Sequence, residues 1–130
     1  MNGGCLCGAV RFEVTGELGR IGHCHCKMCQ RSHGAAFGTY AHVPNDKFRF
    51  TSGEKLVKRY ASSEGVTRTF CSECGSALQF LVSGRDHLSV TAGCFDDNVR
   101  APVDYGLWTS SAAPWGTREG VPFTHDTEPL

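Results

Sequence analysis

Seven of the eight cysteines in this chain fall into three tight groups: Cys5 with Cys7, then Cys24, Cys26 and Cys29, then Cys71 with Cys74. Thiols one or two residues apart can turn their sulfurs towards one point, and a zinc ion about 2.3 Å from each sulfur fills such a point. An even number of cysteines can also make a disulfide framework, but that use belongs to exported proteins. The chain opens Met1-Asn2-Gly3-Gly4 with no basic-then-apolar leader, and it has no apolar run long enough to span a bilayer. The expectation is a cytoplasmic protein without a membrane partner, whose clustered thiols ligate metal. Iron–sulfur ligation is the lesser alternative for such thiolates.

The groups differ in what they can build. Cys71-Ser72-Glu73-Cys74-Gly75 is a Cys-x-x-Cys-Gly knuckle, in which glycine relieves the backbone where the loop reverses, and Cys5-Leu6-Cys7-Gly8 repeats the device. Two sulfurs from each give a closed four-thiolate zinc site, tying together segments 64 residues apart. The trio Cys24, Cys26 and Cys29 supplies three ligands within six residues and leaves a fourth position. Either that position is open to a substrate, or the lone Cys94 completes a second closed site and the protein is a non-catalytic, zinc-stabilised binding module.

The charge around the trio favours the open reading. No acidic residue lies between Glu17 and Asp46, while Arg20, His23, His25, Lys27, Arg31, His33 and His42 all do. Cations beside thiols favour thiolates, the form that binds metal, and would attract an anionic substrate. Over the whole chain, thirteen basic and thirteen acidic residues cancel, so the basic excess of a nucleic-acid binder is missing and no such partner is expected.

At 130 residues the length is that of one domain, and sixteen scattered glycines suit a turn-rich β protein. Val10, Phe12 and Val14 alternate with polar neighbours as in a half-buried strand. Gly16 to Gly22 reads as a loop. Strands follow over Phe37–Val43, ended by Pro44, over Lys47–Phe50 and over Val66–Phe70; Leu56–Tyr60 is ambiguous between a strand, the preferred reading, and a single helical turn; Leu78–Val82 and Leu88–Ala92 form a hairpin about Ser83-Gly84-Arg85-Asp86. Trp108 and Trp115 are expected as core or lid residues.

Three motifs then stand in order: Gly4-Cys5-Leu6-Cys7-Gly8-Ala9-Val10, Cys24-His25-Cys26-Lys27-Met28-Cys29-Gln30-Arg31, and Phe70-Cys71-Ser72-Glu73-Cys74-Gly75-Ser76-Ala77-Leu78. Together with Ala92-Gly93 before Asp96-Asp97, Pro114-Trp115 and Gly120-Val121-Pro122-Phe123, they closely resemble the glutathione-dependent formaldehyde-activating enzyme family, which shares its domain with centromere protein V. The resemblance implies a single domain over 1–130 with a mainly β, Mss4-like β-tent fold. It implies two zinc ions, a structural one on Cys5, Cys7, Cys71 and Cys74 and a catalytic one on Cys24, Cys26 and Cys29. It also implies carbon–sulfur lyase chemistry on a small-molecule thiol adduct, such as glutathione plus formaldehyde to S-hydroxymethylglutathione. His23 and His25 are the nearest titratable groups for an alkoxide proton and Arg31 a candidate oxyanion or carboxylate partner. No residue is assigned as general base.

Overall fold

The computed structural model of the chain describes residues 1–99 and 101–116. The architecture is mainly β, as expected: ten strands and one short α-helix among the described residues. The described residues divide into two compact units, one formed by 1–19 and 41–99, the other by 20–40 with 101–116.

The first unit holds two antiparallel groups. β1 (Asn2–Gly4), β2 (Arg11–Val14) and β5 (Phe48–Ser52) form a three-stranded sheet in that order. The alternation along β2 buries Phe12 and Val14 and extends to Val10 just before it, each at most 1% exposed. Phe12 stacks on Phe48 at 5.1 Å and meets Phe95 edge-on at 5.5 Å. The second group is β6 (Val57–Ser63), β7 (Val66–Cys71), β8 (Ala77–Val82) and β9 (His87–Thr91), each antiparallel to the next. The ambiguous segment Leu56–Tyr60 is a strand from Val57 onward, with Leu56 closing a short 3-10 turn, and the hairpin about Ser83–Asp86 is present. Cys5, Val10, Cys71 and Leu78 form a buried cluster, with Phe50, Leu56, Val57, Cys74 and Cys94 packed against it. Gly53 turns the chain there with φ +72°, and a Cβ at that position would lie 2.0 Å from the Ala9 carbonyl oxygen. Only glycine fits.

The second unit is built around β3 (Ile21–Cys24), which pairs in parallel with β10 (Tyr105–Leu107). Backbone bonds extend the pairing at both ends, from Asp104 N–H to Ile21 O at 2.7 Å and from His25 N–H to Leu107 O at 2.9 Å. Gly22 and Tyr105 face each other in this register, and a Cβ on Gly22 would lie 2.3 Å from the Tyr105 ring. The stretch read as a loop up to Gly22 therefore ends in a strand. Helix α1 (Lys27–His33) follows, with Cys26 as N-cap and Gly34, φ 60°, as the left-handed C-cap. β4 (Gly38–Pro44) then leads the chain back into the first unit and ends at Pro44. Trp115 is 72% exposed and is no core residue; Gly120 to Phe123 lie outside the described residues.

Candidate functional site

Two loops bring the first four thiols together. Gly8 N–H bonds to Cys5 O at 3.1 Å and Gly75 N–H to Cys71 O at 2.8 Å, closing a tight turn after each cysteine pair. Gly8 and Gly75 have φ +79° and +80° with open space where a Cβ would stand, so backbone conformation, not room, calls for glycine. Ser76 ties the loops through its Oγ, which accepts from Leu6 N–H at 2.9 Å. The sulfurs of Cys5, Cys7, Cys71 and Cys74 all lie within 4.8 Å of one another. Cys5 and Cys7 are 3.5 Å apart and Cys7 and Cys71 3.9 Å. A tetrahedron with metal–sulfur bonds of 2.3 Å has edges of about 3.8 Å, whereas a disulfide brings sulfurs to about 2.05 Å. The donor set therefore fits a tetrahedral thiophilic metal.

Protonation in this quartet is uneven. The Ser76 hydroxyl, 3.3 Å from the sulfur, together with the Ser76 backbone N–H holds the Cys74 thiol down at about 5. Burial raises Cys5, but the Val10 N–H at 3.3 Å and the Cys7 thiol outweigh it and leave Cys5 lowered. Cys7 accepts from the Ala9 N–H, which lowers it, yet Cys5 and burial prevail and push it to about 11. Part of the quartet is thus ready to bind a cation without first losing a proton.

The trio is placed by three different pieces of backbone. Cys24 ends β3, Cys26 caps α1, and Cys29 lies in the first turn of α1. Their sulfurs also lie within 4.8 Å of one another. Cys29 N–H donates to Cys26 Sγ at 3.3 Å, the capping bond that starts the helix. Cys24 and Cys29 are buried, 8% and 2% exposed. The Cys26 and Cys29 thiols, then burial, push Cys24 far above the ordinary thiol range. Cys24 lowers Cys29, but Cys26 and burial outweigh it and leave Cys29 raised. Three sulfurs this close, sharing protons, form the arrangement a divalent cation relieves. Among the described residues, no fourth Cys, His, Asp or Glu joins them within that distance.

Cys94 belongs elsewhere. Its Sγ donates to Ala77 O at 3.2 Å, it packs beside Cys5 and Cys71, and burial followed by the charges of Cys5 and Cys74 raises it to about 11. It behaves as a small buried hydrophobe of the first unit.

Gln30 anchors the trio's loop. Its Nε2 donates to His25 O at 2.7 Å and Ser111 O at 3.0 Å, so one buried amide ties the loop to the segment after β10. That segment begins with Trp108, a bulky residue held at φ 56° and 37% exposed. Left-handed backbone in such a residue is a conformation that its surroundings impose.

Of the proton-handling candidates, His25 is only 2% exposed. His23 Nδ1 pairs with Thr39 Oγ1 at 2.9 Å and its ring lies on Phe37 at 4.1 Å; burial and then the His25 charge lower it, which favours the neutral imidazole. Arg31 is exposed in the last turn of α1. A trio sulfur is reached by Tyr40, which the sequence did not single out: its Oη is 3.3 Å from Cys29 Sγ, and His33, counted in the sequence only among the basic residues around the trio, has Nε2 2.9 Å from Tyr40 Oη. The available signal was His33 and Tyr40 flanking the break between α1 and β4, which says nothing of their convergence.

The sequence model of the glutathione-dependent formaldehyde-activating enzyme family matches residues 1–111. The chain is similar to an uncharacterised lyase of Schizosaccharomyces pombe, 29% identical over 72% of this chain and 66% of that protein. It is also similar to a Halomonas elongata protein whose name assigns it provisionally to the glutathione-dependent formaldehyde-activating enzymes, 34% identical over 60% of this chain and 54% of that protein. The match therefore spans roughly half to two thirds of each curated relative. A Rhodobacter sphaeroides protein of known crystal structure has the same fold, with a TM-score of 0.65 and 24% identity over 77% of this chain and 92% of that one.

Proposed function

The chain belongs to the glutathione-dependent formaldehyde-activating enzyme family, and from that premise we propose that it is a carbon–sulfur lyase-type enzyme acting on the adduct of a small-molecule thiol and an aldehyde. Glutathione with formaldehyde, giving S-hydroxymethylglutathione, is the pair the family's name suggests. Cys5, Cys7, Cys71 and Cys74 hold a structural zinc, and Cys24, Cys26 and Cys29 hold the catalytic one. One domain over 1–130 carries both, a reading supported by a single family model that runs across both units.

The observation that carries the proposal is the unequal ligand count: four converging sulfurs in one cluster and three in the other among the described residues. Bound zinc would supply a Lewis-acidic fourth position at which a substrate thiol is held as thiolate, next to the carbon it adds to or leaves. The chain's own residues do the positioning. The parallel pairing of β3 with β10 fixes Cys24, the helix cap fixes Cys26 and Cys29, and the Gln30 amide fixes the turn between them. Such placement is worth more than acid–base assistance when a metal-held nucleophile has only to meet an electrophile. Lys27 and Arg31 are exposed on α1 beside the trio and suit the carboxylates of a peptide thiol.

Cobalt replacing zinc gives the test, since thiolate-bound tetrahedral cobalt absorbs in the visible. Adding glutathione to the protein with both sites filled should shift the spectrum of about half the cobalt saturably, and a thiol without carboxylates should bind more weakly. No spectral response with two cobalt ions bound means two closed sites, and the protein is then a binding module.

A further inference from the structure

The trio is served by a hydrogen-bonded chain that the proposed chemistry has not used. Tyr40 is 8% exposed, and its hydroxyl lies between Cys29 Sγ, at 3.3 Å, and His33 Nε2, at 2.9 Å. The Tyr40 and His33 rings meet edge to face, 5.2 Å apart and at 85°. A phenol has one hydrogen to give. A thiolate accepts and cannot donate, so once Cys29 is ionised the Tyr40 hydrogen must point at its sulfur. The phenol oxygen is then left as acceptor, and His33 must present Nε2–H to it. The direction of both bonds follows from the charge of Cys29 alone.

Room for this pair is built into the backbone. Gly38 opens β4 without a positive φ, so the chain path does not demand glycine there. A Cβ at Gly38 would lie 3.0 Å from His33 Nε2 and 3.0 Å from Tyr40 Cε2. Those contacts are tighter than neighbouring atoms accept without moving. The side chain missing at position 38 is the space in which His33 and Tyr40 join.

We infer that Tyr40, oriented by His33, is a positioning residue that hydrogen-bonds Cys29 Sγ, orients it as a ligand and moderates the charge of the thiol cluster. The inference rests on the reading that the trio binds metal. Three thiolates make a dication formally anionic and a poor acceptor for a fourth sulfur; a hydroxyl that draws density from one of them offsets that excess. Partners that hydrogen-bond a ligand set its basicity and orientation, and their loss costs about 10- to 100-fold in metal affinity. The quartet lacks a tyrosine contact among the described hydrogen bonds and serves as control within the same molecule.

The experiment is cobalt titration, with the visible spectrum as readout, of the wild-type chain and the variants Tyr40→Phe, His33→Gln, His33→Phe and Gly38→Ala. The expected result is two cobalt ions in the wild type. In Tyr40→Phe the second ion should bind about tenfold more weakly, with a displaced sulfur-to-cobalt charge-transfer band, while the first is unaltered. His33→Gln keeps an N–H donor and should stay near wild type; His33→Phe and Gly38→Ala should resemble Tyr40→Phe. The inference is overturned if Tyr40→Phe and His33→Phe both match the wild type, or if the two ions weaken together, which marks a structural role. A wild type that binds a single cobalt ion overturns the metal reading of the trio, and this inference with it.

Discussion

The two thiol clusters are opposites in how they are assembled. The quartet joins chain segments 64 residues apart and reaches solvent on one side, with Cys7 exposed and Cys74 half-buried beside the buried Cys5 and Cys71. The trio is local in sequence, yet Cys24 and Cys29 are buried. A closed four-thiolate site tolerates an exposed ligand such as Cys7, because its ion has no vacancy to defend. An ion with three protein ligands keeps one exchangeable position, and what enters there is selected by the walls around it. Long-range stitching therefore suits a staple and dense local housing suits a reaction centre.

That contrast is most sharply broken or kept by removing one sulfur from each. Cys71→Ser in the quartet takes away a fully buried ligand and should cost several kcal/mol, leaving a chain that unfolds on heating without a sharp transition. Cys26→Ser in the trio should keep a cooperative melt and lower the bound zinc from two ions to one. Equal damage in calorimetry and metal analysis from the two substitutions would dissolve the distinction.

A smaller effect is expected from Gly22→Ala. Its Cβ would collide with the Tyr105 ring, which is buried, with the Arg20 guanidinium 4.5 Å above it. Overpacking of this kind costs about 1–3 kcal/mol. It should loosen the β3–β10 pairing and weaken metal binding at the trio while sparing the quartet. An unchanged melting temperature with both ions retained would show that the parallel pair does not support the trio.

The smallest effect concerns the first unit alone. Arg11 grips the Asp96 carboxylate with its two terminal guanidinium nitrogens, the Nη1 bond at 2.9 Å, and this hydrogen bonding holds the Asp96 carboxyl below its ordinary value. A lowered folded pKa stabilises above the unfolded value, and the contribution is lost as pH falls through the lowered one. Asp96→Asn should therefore shift the melting temperature slightly near neutrality and not at all at a pH below the lowered value. Both side chains are partly exposed, so the shift should shrink in high salt. A salt-independent shift would contradict this account.

Much of this was legible in the chain itself, because its strongest signals are local. The alternation of Val10, Phe12 and Val14, the stop at Pro44, and the two Cys-Gly turns each encode geometry within a few residues, and the structure bears them out. The convergence of Cys5 and Cys7 with Cys71 and Cys74 was readable because four thiols have few other uses. What stayed hidden depends on pairing between distant segments. Nothing in Ile21–Cys24 announces that Tyr105–Leu107 will lie parallel to it. Helix α1 was missed because its N-cap is a cysteine, read as a ligand, and because seven residues give too little periodicity. Tyr40 escaped for the same reason: eleven residues separate it from Cys29, and only the fold closes that gap.

The wide spacing of the quartet also sets an order of completion during synthesis. Cys29 leaves the ribosome 45 residues before Cys74, an interval of about 2–9 s at ordinary elongation rates. Metal encountered in that interval meets a nascent trio without its parallel strand. The quartet is complete next, once Cys74 has emerged, and β10 at Tyr105–Leu107 arrives last. The growing chain thus has all four thiols of the quartet before the strand that pairs beside the trio exists.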